Sequence, residues 1–286
     1  MKKVLLDTDP GSDIDDLVCI AYLLANPDCE FMGITTVTGE GENRARLASS
    51  LCKIAQKDIP IYPGAEEPLF IEQKQKTAPQ AAALGNWTHD TDFPKAQALQ
   101  FMRDTIRANP GEITLLAIGP FTNIALLFTL DPELPSLLEQ LIIMGGQFYY
   151  PGGEWNAVVD PHATQIVYNR APEKCISVGL DVTLKVTMDK EEVRAGFDVP
   201  LLRPVLDYAG IWFDSHDVIT FHDPLTAVSI FNPDVCTYEK GTVTVNLDAG
   251  DNLGHTSFAD SDNGPHTVAK TVDRDMFFDK YFSVFK

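Results

Sequence analysis

Continuous apolar runs alternate with amphipathic stretches along most of this 286-residue chain, and that alternation restricts the folds open to it. Residues 3–7, 31–36, 113–118, 141–144 and 175–179 read as strands with no polar face. Between them, residues 15–25, 42–56, 95–108, 122–130 and 161–168 carry helical spacing. A strand without a polar face must be covered on both sides. The sequence therefore predicts an α/β fold with a mostly parallel central sheet and helices on both faces. Past the polar residues 214–217 a further helix is expected, and residues 241–248 and 267–273 read as a small antiparallel C-terminal element. No repeat or low-complexity linker breaks the chain, so a single domain over residues 1–286 is expected.

Ligands on such sheets gather beyond the carboxyl ends of the strands. The first of these ends is Asp7-Thr8-Asp9-Pro10-Gly11-Ser12-Asp13-Ile14-Asp15-Asp16, which places five carboxylates in ten residues. Like charges this dense in a strand-to-helix turn repel one another unless a cation sits among them. Oxygen-only donors select a hard ion, Ca²⁺ or Mg²⁺. Three further strand ends, at residues 35–40, 117–123 and 144–147, are rich in glycine and small polar residues. Any one such loop can arise for steric reasons, but four together predict a composite site.

Two later segments add chemistry. Glu154-Trp155-Asn156 offers a carboxylate, an aromatic face and an amide, while Asp160-Pro161 reads as the start of a helix. Phe221-His222-Asp223-Pro224-Leu225 opens another apolar helix. There Asp223 suits a helix cap as well as a ligand, and His222 suits a core position as well as a proton donor.

A formal net charge of −19 leaves no cationic surplus to displace counterions from phosphates, which excludes nucleic acid as a partner. No apolar stretch approaches membrane-spanning length, and Met1-Lys2-Lys3 leads into a strand without a signal-peptide core. Cys19, Cys29, Cys52, Cys175 and Cys236 lack paired spacing and read as buried free thiols of a cytoplasmic protein.

Taken together these motifs resemble the inosine-uridine-preferring nucleoside hydrolase family. The resemblance runs in order through Asp7–Asp16, Gly33-Ile34-Thr35-Thr36-Val37 and Gly119-Pro120-Phe121-Thr122-Asn123-Ile124-Ala125. It continues through Ile143-Met144-Gly145-Gly146, Glu154-Trp155-Asn156 with Asp160-Pro161, Gly179-Leu180-Asp181-Val182-Thr183, and His222-Asp223-Pro224-Leu225. It implies a ribonucleoside N-glycosidase of the nucleoside hydrolase fold, serving nucleoside salvage and splitting a small nucleoside into base and ribose with a Ca²⁺-activated water. By the same resemblance Asp9, Asp16 and Asp223 would ligate the ion, joined by the backbone carbonyl of Ile118. Asp9 would take the proton of the water, and His222 would assist the leaving base. Asp15, Asp13, Glu40, Met144, Glu154, Trp155 and Asn156 would face the substrate, with Phe148, Tyr149, Tyr150 and Trp212 as further stacking candidates. Homodimers or homotetramers are the family's usual assemblies.

The chain departs from the family pattern in three places. Its acidic turn is two residues longer than the usual form, so Asp13 competes with Asp15 for a role. Glu40 stands where many members carry an asparagine, and residues 83–90 replace a His-Gly lid motif, with His89 off its position. Other readings are a relative that binds a different N-riboside or has lost hydrolysis, and a haloacid-dehalogenase-like phosphatase built on the Asp-Thr-Asp strand end. A calcium-binding loop with alternating aspartates is a weaker match, because the terminal glutamate and paired helices are missing.

Overall fold

The computed structural model describes residues 1–286. Its strands are β1 (Lys2–Thr8), β2 (Cys29–Thr36), β3 (Ile61–Pro63), β4 (Ile113–Ala117), β5 (Gln140–Met144), β6 (Cys175–Val178), β7 (Thr187–Asp189), β8 (Val218–Thr220), β9 (Cys236–Val245), β10 (Thr256–Asp260) and β11 (His266–Val272). Nine of them form one sheet in the order β10-β9-β11-β6-β5-β4-β1-β2-β3, and β7 pairs with β8 apart from it. Every pairing from β3 across to β11 is parallel. Antiparallel β9 and β10 then extend the far edge. The expected C-terminal element is thus present, but it continues the main sheet instead of standing beside it, because β11 pairs with β6.

Helices α1 (Asp15–Ala25), α2 (Gly41–Ala55), α3 (Ala98–Ala108), α4 (Thr122–Leu130), α5 (Leu134–Leu137), α6 (Trp155–Val159), α7 (Pro161–Asn169), α8 (Leu180–Thr183), α9 (Lys190–Gly196), α10 (Arg203–Trp212), α11 (His222–Phe231) and α12 (Arg274–Ser283) cover the sheet. Alternation along β1 divides the core into two layers. Val4 and Leu6 pack with α1, α2, α11 and α12, while Leu5 packs with α3, α4 and α7. Helix α1 is buried on nearly every side, and Tyr22 stacks on Tyr281 of α12 at 5.7 Å between ring centroids. The predicted helices and central strands form within a few residues of their expected bounds. The sequence reading had no signal for β3, three residues long and ending in Pro63, nor for the aromatic helix α12.

The order of strands locates the site. From β1 the chain proceeds to β2 and β3 on one side, then crosses back to β4 on the other. Loops leaving β1 and β4 diverge there and open a crevice at the carboxyl ends of the strands. The acidic turn follows β1, and Ile118-Gly119 follows β4.

Candidate active site

A cavity of about 740 Å³ occupies this crevice. Its floor is the acidic turn, and the turn is rigidly held. Arg44 of α2 is fully buried and donates to the backbone carbonyls of Gly39 (2.8 Å), Asp9, Pro10 (3.2 Å) and Thr77 (3.0 Å), and to Ser12 Oγ (3.1 Å). Its positive charge is the internal counterweight to Asp9 and Asp16. Asp16 accepts from Thr8 Oγ1 and from the Asp9 N–H (3.0 Å). Behind the turn Asp7 is fully buried, accepting from Thr35 and from Asn123 Nδ2 (2.8 Å), and burial raises its carboxyl to about 7.

Three carboxylates converge. Asp15 and Asp16 open α1, Asp223 lies in the first turn of α11, and one oxygen from each falls within 4.8 Å of the others. The Asp223 N–H donates to Asp15 Oδ2 at 3.0 Å, which ties the two helix starts together. Burial, then repulsion between neighbours, holds Asp15 and Asp223 well above the usual carboxylate range. Burial lifts Asp16 to about 6 and Asp13 to about 7. A cluster of this kind resists full ionisation until a cation enters, and its all-oxygen donors fit a hard divalent ion.

The structure gathers most of the expected residues and separates others. Asp9, Asp13, Asp15, Asp16, Ile118, Met144, Glu154, Trp155, Asn156, His222 and Asp223 all line the cavity. Asp9 lies outside the close trio and bonds through Oδ2 to Gln75. Asp13 sits at the rim, half-buried, bonded to the Ile14 N–H at 2.6 Å. The Ile118 carbonyl accepts from Asn156 Nδ2 at 2.7 Å, and the same amide reaches Met144 O at 3.2 Å. Glu154 caps α6, its carboxylate accepting from the N–H groups of Gly146, Asn156 and Ala157 at 2.8–3.0 Å. His222 Nδ1 lies 2.7 Å from Thr183 Oγ1, and burial pushes its imidazole down to about 4.

Glu40 does not join them. It adopts a left-handed backbone (φ 61°) and turns its carboxylate to the Ala78 N–H (2.8 Å) and Asn43 (3.4 Å), outside the cavity lining. Its negative charge closes the loop around Arg44 instead of facing a ligand. Of the stacking candidates only Trp155 and Trp212 reach the cavity. Phe148 is core, Tyr149 donates to Glu239 at 2.8 Å, and Tyr150 is exposed. His89 bonds to Trp87 O and stays out of this cavity's lining. Asp160 is a helix cap, accepting from Ala163, Leu69 and Thr122, as its Pro161 neighbour suggested. All five cysteines are buried and unpaired.

Sequence reasoning missed one whole wall. Residues 74–77 and Pro79 line the cavity beside the acidic turn, with Gln75 reaching Asp9, and His216 joins Trp212 in a parallel stack 3.6 Å apart. Residues 64–78 show no periodicity that would announce a site, and Arg44 looks like any charge on an amphipathic helix. Its pairing with the turn exists only in three dimensions.

An oxygen-donor trio beside a histidine, in a cavity at a switch point, can hold a hard cation next to a small polar ligand. Residues 4–279 match the family model described as inosine-uridine preferring nucleoside hydrolase, and the chain belongs to that family. Uridine nucleosidase 1 of Arabidopsis thaliana is 30% identical over 281 residues, which cover 89% of this chain and 81% of that protein. The inosine-uridine preferring nucleoside hydrolase of Leishmania major is 29% identical, over 98% of this chain and 95% of its own. A solved plant nucleoside hydrolase shares 28% identity with a TM-score of 0.85, covering 99% of this chain and 98% of that one. Full burial of Asp7 and this match leave no place for the phosphatase reading. No helix is long and apolar enough to cross a membrane.

Proposed function

We propose that this protein hydrolyses the N-glycosidic bond of ribonucleosides, uridine among them, with Ca²⁺ as its resident ion. The class of reaction, nucleoside N-glycosidase, follows from family membership. The observation that carries the finer reading is the convergence of Asp15, Asp16 and Asp223 beneath a cavity that His222 also lines. Asp15, Asp16 and Asp223 would hold the ion, with Asp9 and the Ile118 carbonyl at its edge. Bound there, calcium supplies a Lewis acid that polarises oxygens of water and ribose.

The chain's own groups account for the rest. Asp9 faces the cavity as the proton acceptor for the attacking water. Positive charge grows on the ribose ring as the bond to the base stretches, and the surrounding carboxylates stabilise it. Asn156 keeps its amide nitrogen on two carbonyls, which leaves its amide oxygen to accept from a ribose hydroxyl. His222 stays neutral near pH 7, so it serves the leaving base as a hydrogen-bond donor and not as an imidazolium acid. Thr183, donating to Nδ1, would place the ring proton on Nε2. Trp155 and Trp212 would flank the base. Buried free thiols fit a reducing cytoplasm, where nucleosides are salvaged.

The direct test is incubation with uridine, inosine, cytidine and adenosine, with calcium or with chelator, followed by chromatography for base and ribose. Calcium-dependent release supports the proposal. No cleavage by the calcium-loaded protein overturns it. A second test compares His222→Ala on uridine and on an aryl riboside with a good leaving group. The loss should be larger on uridine, and equal losses would remove His222 from the leaving-group role.

A further inference from the structure

Asp9 has a partner that no step so far has used. The buried side chain of Gln75 donates from Nε2 to Asp9 Oδ2 and accepts at Oε1 from Trp155 Nε1–H. The indole N–H can only donate, so it fixes the amide oxygen of Gln75 on its own side and leaves Nε2 to donate to Asp9. That contact decides which way the amide points. Gln75 is itself firmly seated. Its N–H donates to Gln73 Oε1 at 2.8 Å, Gln73 bonds to Glu66 O, and the Thr77 carbonyl is held by Arg44. Two residues past Ala78, the Gln80 N–H donates to Gly11 O at 3.1 Å, which ties the segment to the acidic turn. On its other side Asp9 is confined by Gly119, where an added Cβ would lie 2.8 Å from Oδ1.

We propose that Gln75 is the positioning residue for Asp9, locking the carboxylate plane from one side while Trp155 locks the amide in turn. The inference rests on the reading of Asp9 as proton acceptor. A proton acceptor that rotates freely spends little time aligned with its water, and misplacement by about 1 Å costs up to about 100-fold. The chemistry requires an amide and no other group of that size. Glutamate has the shape of glutamine but cannot donate to an ionised Asp9, and leucine fills the space with neither bond.

Kinetics on uridine with calcium test this in Gln75→Ala, Gln75→Glu, Trp155→Phe and the Gln75→Ala/Trp155→Phe pair. Gln75→Ala should lower kcat by about 10- to 100-fold with KM changed less than about threefold. Gln75→Glu should lose at least as much, which a space-filling role would not produce. Trp155→Phe keeps the ring, loses the N–H, and should cost less than Gln75→Ala. The double variant should be no slower than Gln75→Ala alone, because both changes break one relay. Retained kcat in Gln75→Ala or Gln75→Glu, a loss confined to KM, or additive losses overturn the inference. A wild type without turnover overturns the proposed function, and a measurement independent of activity then decides Gln75. In a ¹H–¹⁵N spectrum, Asp9→Ala should shift the Trp155 indole N–H in wild type and leave it unmoved in a Gln75→Ala background. An indole that ignores Asp9 in wild type refutes the relay.

Discussion

Replacing Arg44 with methionine keeps the length of the side chain and deletes both its charge and its donors. Arg44 is 0% exposed, so water does not replace what is lost. Its shorter bonds reach the Asp9 and Gly39 carbonyls, with Pro10, Thr77 and Ser12 completing the set. Hydrogen bonds to a charged donor are worth about 1.5–3 kcal/mol each, so two unmet carbonyls cost roughly 3–6 kcal/mol. Relief from burying the guanidinium, which opposes its charge here, places the net near the lower end. For a chain this size that corresponds to a fall in Tm of about 6–12 °C, at roughly 2–4 °C per kcal/mol. The deletion also removes the one buried cation beside Asp9 and Asp16, so the acidic turn depends more on an added ion. Thermal unfolding followed by fluorescence, in chelator and across a calcium titration, measures both effects. Calcium should raise Tm by more in Arg44→Met than in wild type. A fall below about 2 °C in chelator, a small fraction of what two lost charged bonds predict, would refute the reasoning. So would a calcium response equal to that of wild type.

Other perturbations follow from the same geometry. Asp223→Asn removes one of three converging ligands, and calcorimetric titration should show calcium affinity reduced by at least about 100-fold, the scale of 2.7 kcal/mol. Raised carboxyls at Asp7 and Asp13, both about 7, contribute stability that is present at low pH and lost as pH rises through that value. The calcium-free protein should therefore lose Tm as pH rises from about 4 to about 7; the depressed His222, which gains stability as pH rises from about 4 to 6.5, opposes part of this fall, and calcium should flatten the trend. Gly119→Ala would set a Cβ 2.7 Å from Val37 Cγ1 and 2.8 Å from Asp9 Oδ1, so kcat should fall together with about 1–3 kcal/mol of stability by denaturant unfolding. An unchanged kcat in that variant would mean Asp9 has more room than its contacts show.

Parts of the site were legible because their chemistry is local. Carboxylates at positions 9, 13, 15 and 16 stand within one turn, so their repulsion, and hence a cation, can be read from spacing alone. Asp160-Pro161 declared a helix start for the same reason, and the structure finds Asp160 capping α7. Glu40 shows where local reading stops. It follows a strand end in a loop that should face the ligand, yet a left-handed backbone at Glu40 swings its carboxylate to Ala78. Glu154 likewise offered a free carboxylate on paper, and three backbone N–H groups now occupy it.

The sequence by itself determined the parallel sheet, because strands apolar on both faces admit only a covered, buried arrangement. It also determined the acidic strand end, because those charges are neighbours in the chain. Tertiary structure alone decided which acids meet. Asp223 is 208 positions from Asp15, and only the packing of α11 on α1 brings its N–H to the Asp15 carboxylate. Arg44 and Gln75 became part of the site in the same way. Each side chain's role depends on what lies across a contact, and one chain position carries no record of what folds against it.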